Sequence, residues 1–399
     1  MARTATRTHG FTESVIREMT RVANEAGAIN LAQGFPDFPA PDLLKEVACA
    51  AIARNVNQYA VTWGTPNLRR ALANAYQRHY GMQVDEAREI TVTCGATEAM
   101  AATMLAIADP GDEVIIFNPF YENYGPDAVL CAARPVYVPL DSAGPLDLDR
   151  LRAAFSERTR AIIVNTPNNP TGRVLTREEL EGIAALCQEF DVLAVTDEIY
   201  EHILYDGVHI PMAMLDGMKE RTITISGASK TFSVTGWRIG TIVAPADINA
   251  AIRKVHDFLT VGAPAPLQEA VAAALEQFGA DYYSTLADEY RARRDVLYDS
   301  LISAGFRCTS PAGAYYIMAD FSELSDRDDA DYARWLARGG NQEADPQDGN
   351  RGAGVATVPG SSFFAVPADG RKLIRFAFCK RIDTLRAAGE RLCLIAREH

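Results

Sequence analysis

Residues 191–200 read "DVLAVTDEIY". An apolar run this continuous, closed by Thr196 and Asp197, is expected to be a strand buried on both faces with a carboxylate at its carboxyl end. An aspartate there needs a partner, because an unpaired buried charge is costly; alternatively it caps the next element. The same texture extends in both directions. Short apolar runs ("EITVTC", "DEVIIFN", "RPVYVPL", "RAIIVN", "RTITIS", "RIGTIVAP") alternate with helical patterns such as "GATEAMAATMLAIA", "PFYENYGPDAVLCA" and "EELEGIAALCQEF" between about residues 90 and 245. Strands of this kind separated by helices predict an α/β fold around a mainly parallel sheet covered on both faces. Ligands of such sheets sit beyond the carboxyl ends of the strands, so chemistry is expected just after each strand.

Further along, "DYYSTLADEYRARRDVLYDSLISAG" predicts one long helix over 280–304 leading into a smaller α+β unit ("AYYIMADF", "VATVPG", "LIRFAFC", "DTLRAAGERLCLIAREH"). The proline-bearing "LAQGFPDFPAP" is expected to pack with that unit. The expected division is an N-terminal segment over 1–45, a large domain over 46–285 and a small domain over 286–399. The polar stretch at 337–354, "ARGGNQEADPQDGNRGAG", is expected to be a mobile surface insertion.

Composition narrows the function. The 399-residue chain is 48% hydrophobic and 23% charged, with a net charge of −13 and no basic block, which argues against nucleic acid or an anionic membrane as partner. Seven scattered cysteines without a CxxC pair, and six histidines without an HxxxH pair, point to a reducing, cytoplasmic setting and no metal centre. The longest apolar runs are too short to span a bilayer. "MARTATRTHG" lacks a following apolar segment and leads straight into an amphipathic helical pattern, so no targeting peptide is expected.

Four stretches carry chemistry. In "TVTCGATEAM" a turn at Gly95, Ala96 and Thr97 opens a helix whose first N–H groups favour a phosphate, unless Thr97 is merely a cap. "VNTPNNPTG" fixes Asn168 and Asn169 at the rim of a rigid loop, or is a plain Pro/Asn turn. Asp197 ends its strand with Tyr200 three residues on. In "SGASKTFSVTGWRIG", 226–240, Lys230 lies among small residues and Arg238 follows eight residues later. A desolvated lysine is a nucleophile for carbonyls and a guanidinium suits a phosphate, although a lone loop lysine is otherwise a surface charge. Together these match the needs of pyridoxal 5'-phosphate: a Schiff-base lysine, an acid for the pyridine nitrogen, and cations and amides for the phosphate.

The ordered motifs "NNPTG", "DEIY", "SKTFSVTGWRIG" and "LIRFAF" resemble the fold-type I aminotransferases of class I/II. With "NLAQGFPDFP", "NQY", "PFYENY" and "TVPGSSFF", the chain is most similar to the kynurenine and glutamine aminotransferase subgroup, over about residues 12–396. The resemblance implies a mainly parallel seven-stranded sheet in a large domain plus a smaller α+β domain. It implies that Lys230 anchors the cofactor and shuttles the proton, that Asp197 keeps the ring nitrogen protonated, and that Asn169 and Tyr200 bind the ring hydroxyl. Gly95, Ala96, Thr97 and Arg238 match the phosphate group, joined by Tyr59 from a neighbouring subunit, which implies a homodimer. Tyr121 matches the ring-stacking aromatic. Arg375, assisted by Gly34 and Asn169, matches the substrate-carboxylate site. The sequence departs from many relatives at Gly227, where a phosphate-binding serine is common; Ser226 or Ser229 is left to compensate. The polar loop at 338–353 is also longer than usual.

The activity so implied moves an amino group from an L-amino acid to a 2-oxo acid. Phe11, Phe35, Trp63 and Tyr121 are expected to line an apolar pocket without a second arginine, which favours aromatic amino acids, methionine or glutamine. Alternatives are β-elimination from cysteine conjugates, an aspartate- or succinyldiaminopimelate-type transamination, or a non-catalytic regulator, for which no basic DNA-binding region is evident.

Overall fold

The computed structural model describes residues 4–141, 144–340 and 354–397; most of the polar stretch, 341–353, lies outside the described residues. Near the N-terminus the helix Val15–Ala26 is capped by Ser14, whose hydroxyl accepts the Arg17 N–H, and ends at Gly27 in the left-handed conformation (φ 63°). Strand β1 (Ile29–Asn30) follows.

The runs read from the sequence become β2 (Ile90–Thr93), β3 (Glu113–Asn118), β4 (Arg134–Pro139), β5 (Thr159–Asn165), β6 (Leu193–Asp197), β7 (Thr222–Gly227) and β8 (Gly240–Val243). They form one seven-stranded sheet in the order β2-β8-β7-β6-β5-β3-β4. All neighbours are parallel except β8, which runs antiparallel to both β7 and β2. β2 and β3 are buried along their whole length, as a sheet covered by helices on both faces requires. One such cover is the helix Ala96–Ile107, another Arg177–Glu189, which opens with a reciprocal capping box between Thr176 and Glu179.

The helix Ala280–Ala304 is continuous over 25 residues, as its sequence pattern predicts. Beyond it come β9 (Arg307–Cys308), β10 (Tyr316–Asp320), β11 (Val355–Ala356), β12 (Val358–Pro359) and β13 (Leu373–Ala377). A second, antiparallel sheet has the order β12-β13-β10-β9, while β11 pairs in parallel with β1. Within "LAQGFPDFPAP" the Leu31 carbonyl accepts the Ala377 N–H of β13 at 2.8 Å. Tyr290, Tyr315, Tyr332, Phe321, Phe363, Phe376 and Phe378 fill the core here. Among the described residues no helix is long and apolar enough to cross a membrane.

One contact decides where the sheet opens. Gly240 starts β8 opposite Thr93, and a Cβ there would lie 2.3 Å from the Gly95 carbonyl carbon and 2.5 Å from the Ala96 nitrogen. Backbone thus touches backbone where the helix Ala96–Ile107 begins. Gly240→Ala is expected to cost about 1–3 kcal/mol, the usual penalty of overpacking, and to lower the urea midpoint. Gly236→Ala, with nothing within 4 Å of its Cβ position, is the control expected to leave the midpoint nearly unchanged.

Candidate active site

The carboxyl ends of β5, β6 and β7 lie in register, Asn165 beside Asp197 and Asp197 beside Ile225, so the segments that follow them meet in one cleft. Asn165 pins the first segment. Its Nδ2 donates to the Asp197 carbonyl at 2.9 Å and the Pro167 carbonyl at 3.2 Å, and its Oδ1 accepts the Asn169 N–H at 2.8 Å. The two rim amides then divide. Asn168 Oδ1 is committed to the N–H and hydroxyl of Thr171, whereas Asn169 Oδ1 accepts from Arg375 Nη1 at 2.7 Å.

Asp197 is buried. Its Oδ2 accepts from the Tyr124 hydroxyl at 2.6 Å and its Oδ1 from the Ile199 N–H at 3.3 Å. Burial pushes its carboxyl above the usual range, against the pull of Tyr124, the Ile199 N–H and Lys230. Tyr200 donates its hydroxyl to that of Tyr316 at 3.0 Å. Tyr121 lies edge-on to Tyr124, ring centroids 5.7 Å apart.

Lys230 belongs to the short helix Ala228–Thr231 and keeps part of its surface open to the cleft. Its Nζ donates to the Gly34 carbonyl at 3.4 Å and stands 5.5 Å from the Tyr315 ring centroid and 5.9 Å from that of Tyr200. Desolvation in the cleft, reinforced by Arg238 and Arg375 and opposed by Asp197, brings its ammonium down to about 8. Just before it, a Cβ at Gly227 would lie 2.6 Å from the Ile239 carbonyl oxygen, so this backbone has no room for a serine without a shift. Ser226 donates to Glu201 Oε1 at 2.7 Å and is thereby committed; Ser229 is a buried hydroxyl in the same segment.

The helix Ala96–Ile107 is capped by Gly95 (φ 85°) with no side-chain cap, and Thr97 sits exposed at its second position, so Thr97 is not the cap. A Cβ at Gly95 would lie 2.2 Å from Arg238 Nη2, which places that guanidinium directly over the helix start. Arg238 has a left-handed backbone (φ 54°) and donates Nη1 to the Thr235 carbonyl at 3.0 Å.

From the other side of the cleft, β13 delivers Arg375, fully buried. Nη1 reaches Asn169, Nη2 donates to the Ala32 carbonyl at 2.8 Å, and Nε is buried with no partner. The rings of Tyr316 (4.2 Å) and Phe363 (4.8 Å) flank it, and among the described residues no carboxylate pairs with it. Gly34 packs flat on the tyrosines: a Cβ would lie 2.2 Å from the Tyr316 hydroxyl.

Thus Lys230, Asp197, Tyr200, Asn169, Gly34 and Arg375 converge, with Gly95, Ala96 and Arg238 at one end. Tyr59 is not drawn in and is 89% exposed. Two aromatics expected to give apolar walls face cations instead: Trp63 lies under the Arg253 guanidinium (4.9 Å) and Phe35 under the Lys380 ammonium (3.9 Å). Tyr124, Asn165, Tyr316 and Phe363 escaped the sequence reading. Only Tyr124 had a signal, one helical turn after Tyr121 and a ready donor for a buried aspartate.

Because Lys230 is about half neutral near pH 8, against about 10.4 for an ordinary lysine, limiting formaldehyde and cyanoborohydride at pH 7.5 are expected to methylate Lys230 of ligand-free protein ahead of surface lysines. Peptide mapping reads the outcome. The sign for stability follows: between about pH 8 and 10 the folded chain has lost a proton that the unfolded chain keeps, so the cost of this buried charge fades as pH rises.

The chain matches the family of aminotransferases of class I and II over residues 26–381. It is similar to the solved N-succinyldiaminopimelate aminotransferase from Mycobacterium tuberculosis, with a TM-score of 0.91 and 41% identity, covering 98% of this chain and 100% of that one. It is 35% identical to Homo sapiens kynurenine–oxoglutarate transaminase 1 over 94% of both chains, and 37% identical to the methionine aminotransferase of Escherichia coli over 95% of both. The motifs set after successive strands, the fold and these likenesses agree: the chain belongs to the class I and II aminotransferases.

Proposed function

We propose that the cleft holds pyridoxal 5'-phosphate and transfers an amino group from an L-amino acid with a bulky, uncharged side chain to a 2-oxo acid. The observation that carries this reading is Arg375: a guanidinium wholly removed from water, bound only to neutral oxygens, with Nε orphaned. A buried cation in that state is suited to a small anion, and a substrate α-carboxylate supplies one.

The donor set fits the cofactor. The N–H groups opening the helix Ala96–Ile107, with Arg238 over Gly95, form a cradle that a Cβ would fill and that suits a phosphate. Asp197, fixed by Tyr124, faces the cleft as the acid for a pyridine nitrogen. The Asn169 amide donors and the Tyr200 hydroxyl serve the ring oxygen, Tyr121 its face, and the Lys230 amine its aldehyde carbon. Ser229 is the hydroxyl left to assist at the phosphate, since Ser226 is bound to Glu201. When bound, the cofactor supplies an electron sink that makes the substrate α-hydrogen acidic. Lys230 Nζ, with a proton affinity close to neutral pH, takes that proton and returns it, a match that general base catalysis favours. Arg375 and Gly34 hold the carboxylate so that the α-hydrogen faces Nζ.

A second copy of the chain completes the site. Tyr59, Val61, Phe258, Leu259 and Val261 are exposed apolar residues, with Phe258 at 91%. Thr62 and Asp257 are bonded together at 3.3 Å, and Cys94 Sγ reaches the Gly262 carbonyl at 3.6 Å, so this patch adjoins the phosphate cradle. Its burial in a homodimer would bring Tyr59 to the partner subunit's cradle.

The side-chain preference rests on the rings of Tyr121, Tyr316 and Phe363 about the site and on Arg253 being committed to the Ile90 carbonyl (2.6 Å) and Thr91 (3.1 Å). The likeness to the N-succinyldiaminopimelate aminotransferase favours a second reading, an acyl-diaminopimelate donor. Arg375→Gln is expected to lower kcat/KM by about 10² or more, the scale of a lost buried charge-assisted pair. An unchanged kcat/KM contradicts the reading. Rates for methionine, phenylalanine, glutamine, aspartate and N-succinyldiaminopimelate, measured together, separate the two substrate classes.

A further inference from the structure

A second lysine grips the same backbone as Lys230. Lys380 is 2% exposed and, among the described residues, has no ion pair. Its Nζ donates to the Phe35 carbonyl at 2.7 Å and the Gln33 carbonyl at 3.4 Å, over the Phe35 ring at 3.9 Å. The carbonyls between and before these are held from the active site: Gly34 by Lys230 (3.4 Å) and the Tyr315 hydroxyl (2.9 Å), Ala32 by Arg375 Nη2 (2.8 Å). Four consecutive carbonyls, from Ala32 to Phe35, therefore accept from four side chains: Arg375, Lys380, Lys230 and Tyr315. Further on, Asp37 accepts the Arg381 N–H at 2.6 Å and the Thr384 hydroxyl at 2.7 Å, which fixes the end of the segment to the start of the helix Ile382–Ile395.

A buried ammonium with no carboxylate in contact, only the more distant pull of Asp37, is costly, and a methionine of similar shape would fill the same space without that cost. What the charge provides here is direction. It holds the carbonyls of Gln33 and Phe35 at the two ends of a tight turn, closed by the Phe35 N–H donating to the Gln33 carbonyl at 2.9 Å, and the Gly34 carbonyl at the middle of that turn is left to Lys230 and Tyr315. Gly34 has no side chain to anchor it, and the close approach of Tyr315 and Tyr316 forbids one.

We infer that Lys380 is a positioning residue: through the Gln33–Phe35 backbone it sets Gly34 against Lys230 and Ala32 against Arg375, and so holds the substrate-carboxylate site in register. The inference rests on the aminotransferase reading of the cleft for its kinetic part only.

The test compares Lys380→Met, Lys380→Gln and the parent protein. Hydrogen exchange of the Gln33, Gly34, Phe35 and Asp37 amides is measured first, without substrate; Lys380→Met is expected to speed it at least tenfold while distant strands of the seven-stranded sheet keep their protection. Lys380→Gln, which retains donors for the carbonyls, is expected to recover part of that protection. In steady state Lys380→Met is expected to raise KM for both amino acid and oxo acid about tenfold with kcat changed less than threefold. Unchanged exchange at 33–37 overturns the inference whatever the activity. Loosened exchange with KM unmoved overturns the carboxylate role, and uniformly faster exchange with kcat and KM both degraded shows a merely structural lysine. If the parent protein transaminates nothing, the functional reading fails, and the exchange comparison still decides the positioning role.

Discussion

A hydrogen bond of 2.7 Å between Arg375 Nη1 and Asn169 Oδ1 joins residues 206 apart in the chain and ties the antiparallel sheet to the strand ends of the parallel one. Everything at the site depends on it. Asn169 can face Arg375 only because Asn165 holds its N–H and Asn168 absorbs the loop's own demands. Arg375 can remain buried only because neutral oxygens and two aromatic faces share its charge. The bond thus fixes the distance between a buried guanidinium and the strand ends that lead into Asp197 and Lys230.

The charges in the cleft are tuned by burial before anything else. Desolvation moves Asp197 up and Lys230 down, each toward neutrality, and their mutual attraction only partly opposes it. Lys230 is brought to about 8, and groups perturbed in this way by burial and by a specific charged partner concentrate at functional sites. The contrast with Ser226 and Glu201 just behind is instructive. There the carboxylate accepts from Ser226 at 2.7 Å and from Tyr80 at 2.5 Å, a network whose donors and acceptors are already matched.

The sheet and most of the site were legible in the sequence because strand-end chemistry leaves a local mark. Asp197 closes an apolar run, Lys230 lies among small residues, and "NNPTG" is rigid by composition. What lay hidden depends on distant contacts. Nothing near Phe35 or Trp63 announces that Lys380 and Arg253 would cover their rings, so an expectation of apolar walls followed from residue type alone. Gly227 reads as a missing serine in the sequence; in three dimensions it is a place where the Ile239 carbonyl leaves no room for one. Thr97, a plausible cap by type, falls two residues too late because Gly95 holds the cap position.

Lys230, partly open to the cleft, and the buried Lys380 both donate to the Ala32–Phe35 backbone, and covalent chemistry is proposed for Lys230 alone. Reconstituting the protein with pyridoxal 5'-phosphate, reducing it with borohydride and mapping the modified peptide by mass spectrometry tests that assignment directly. The expected result is a single pyridoxyl-phosphate adduct on Lys230, absent from Lys230→Ala. An adduct on Lys380, or none at all, would contradict it.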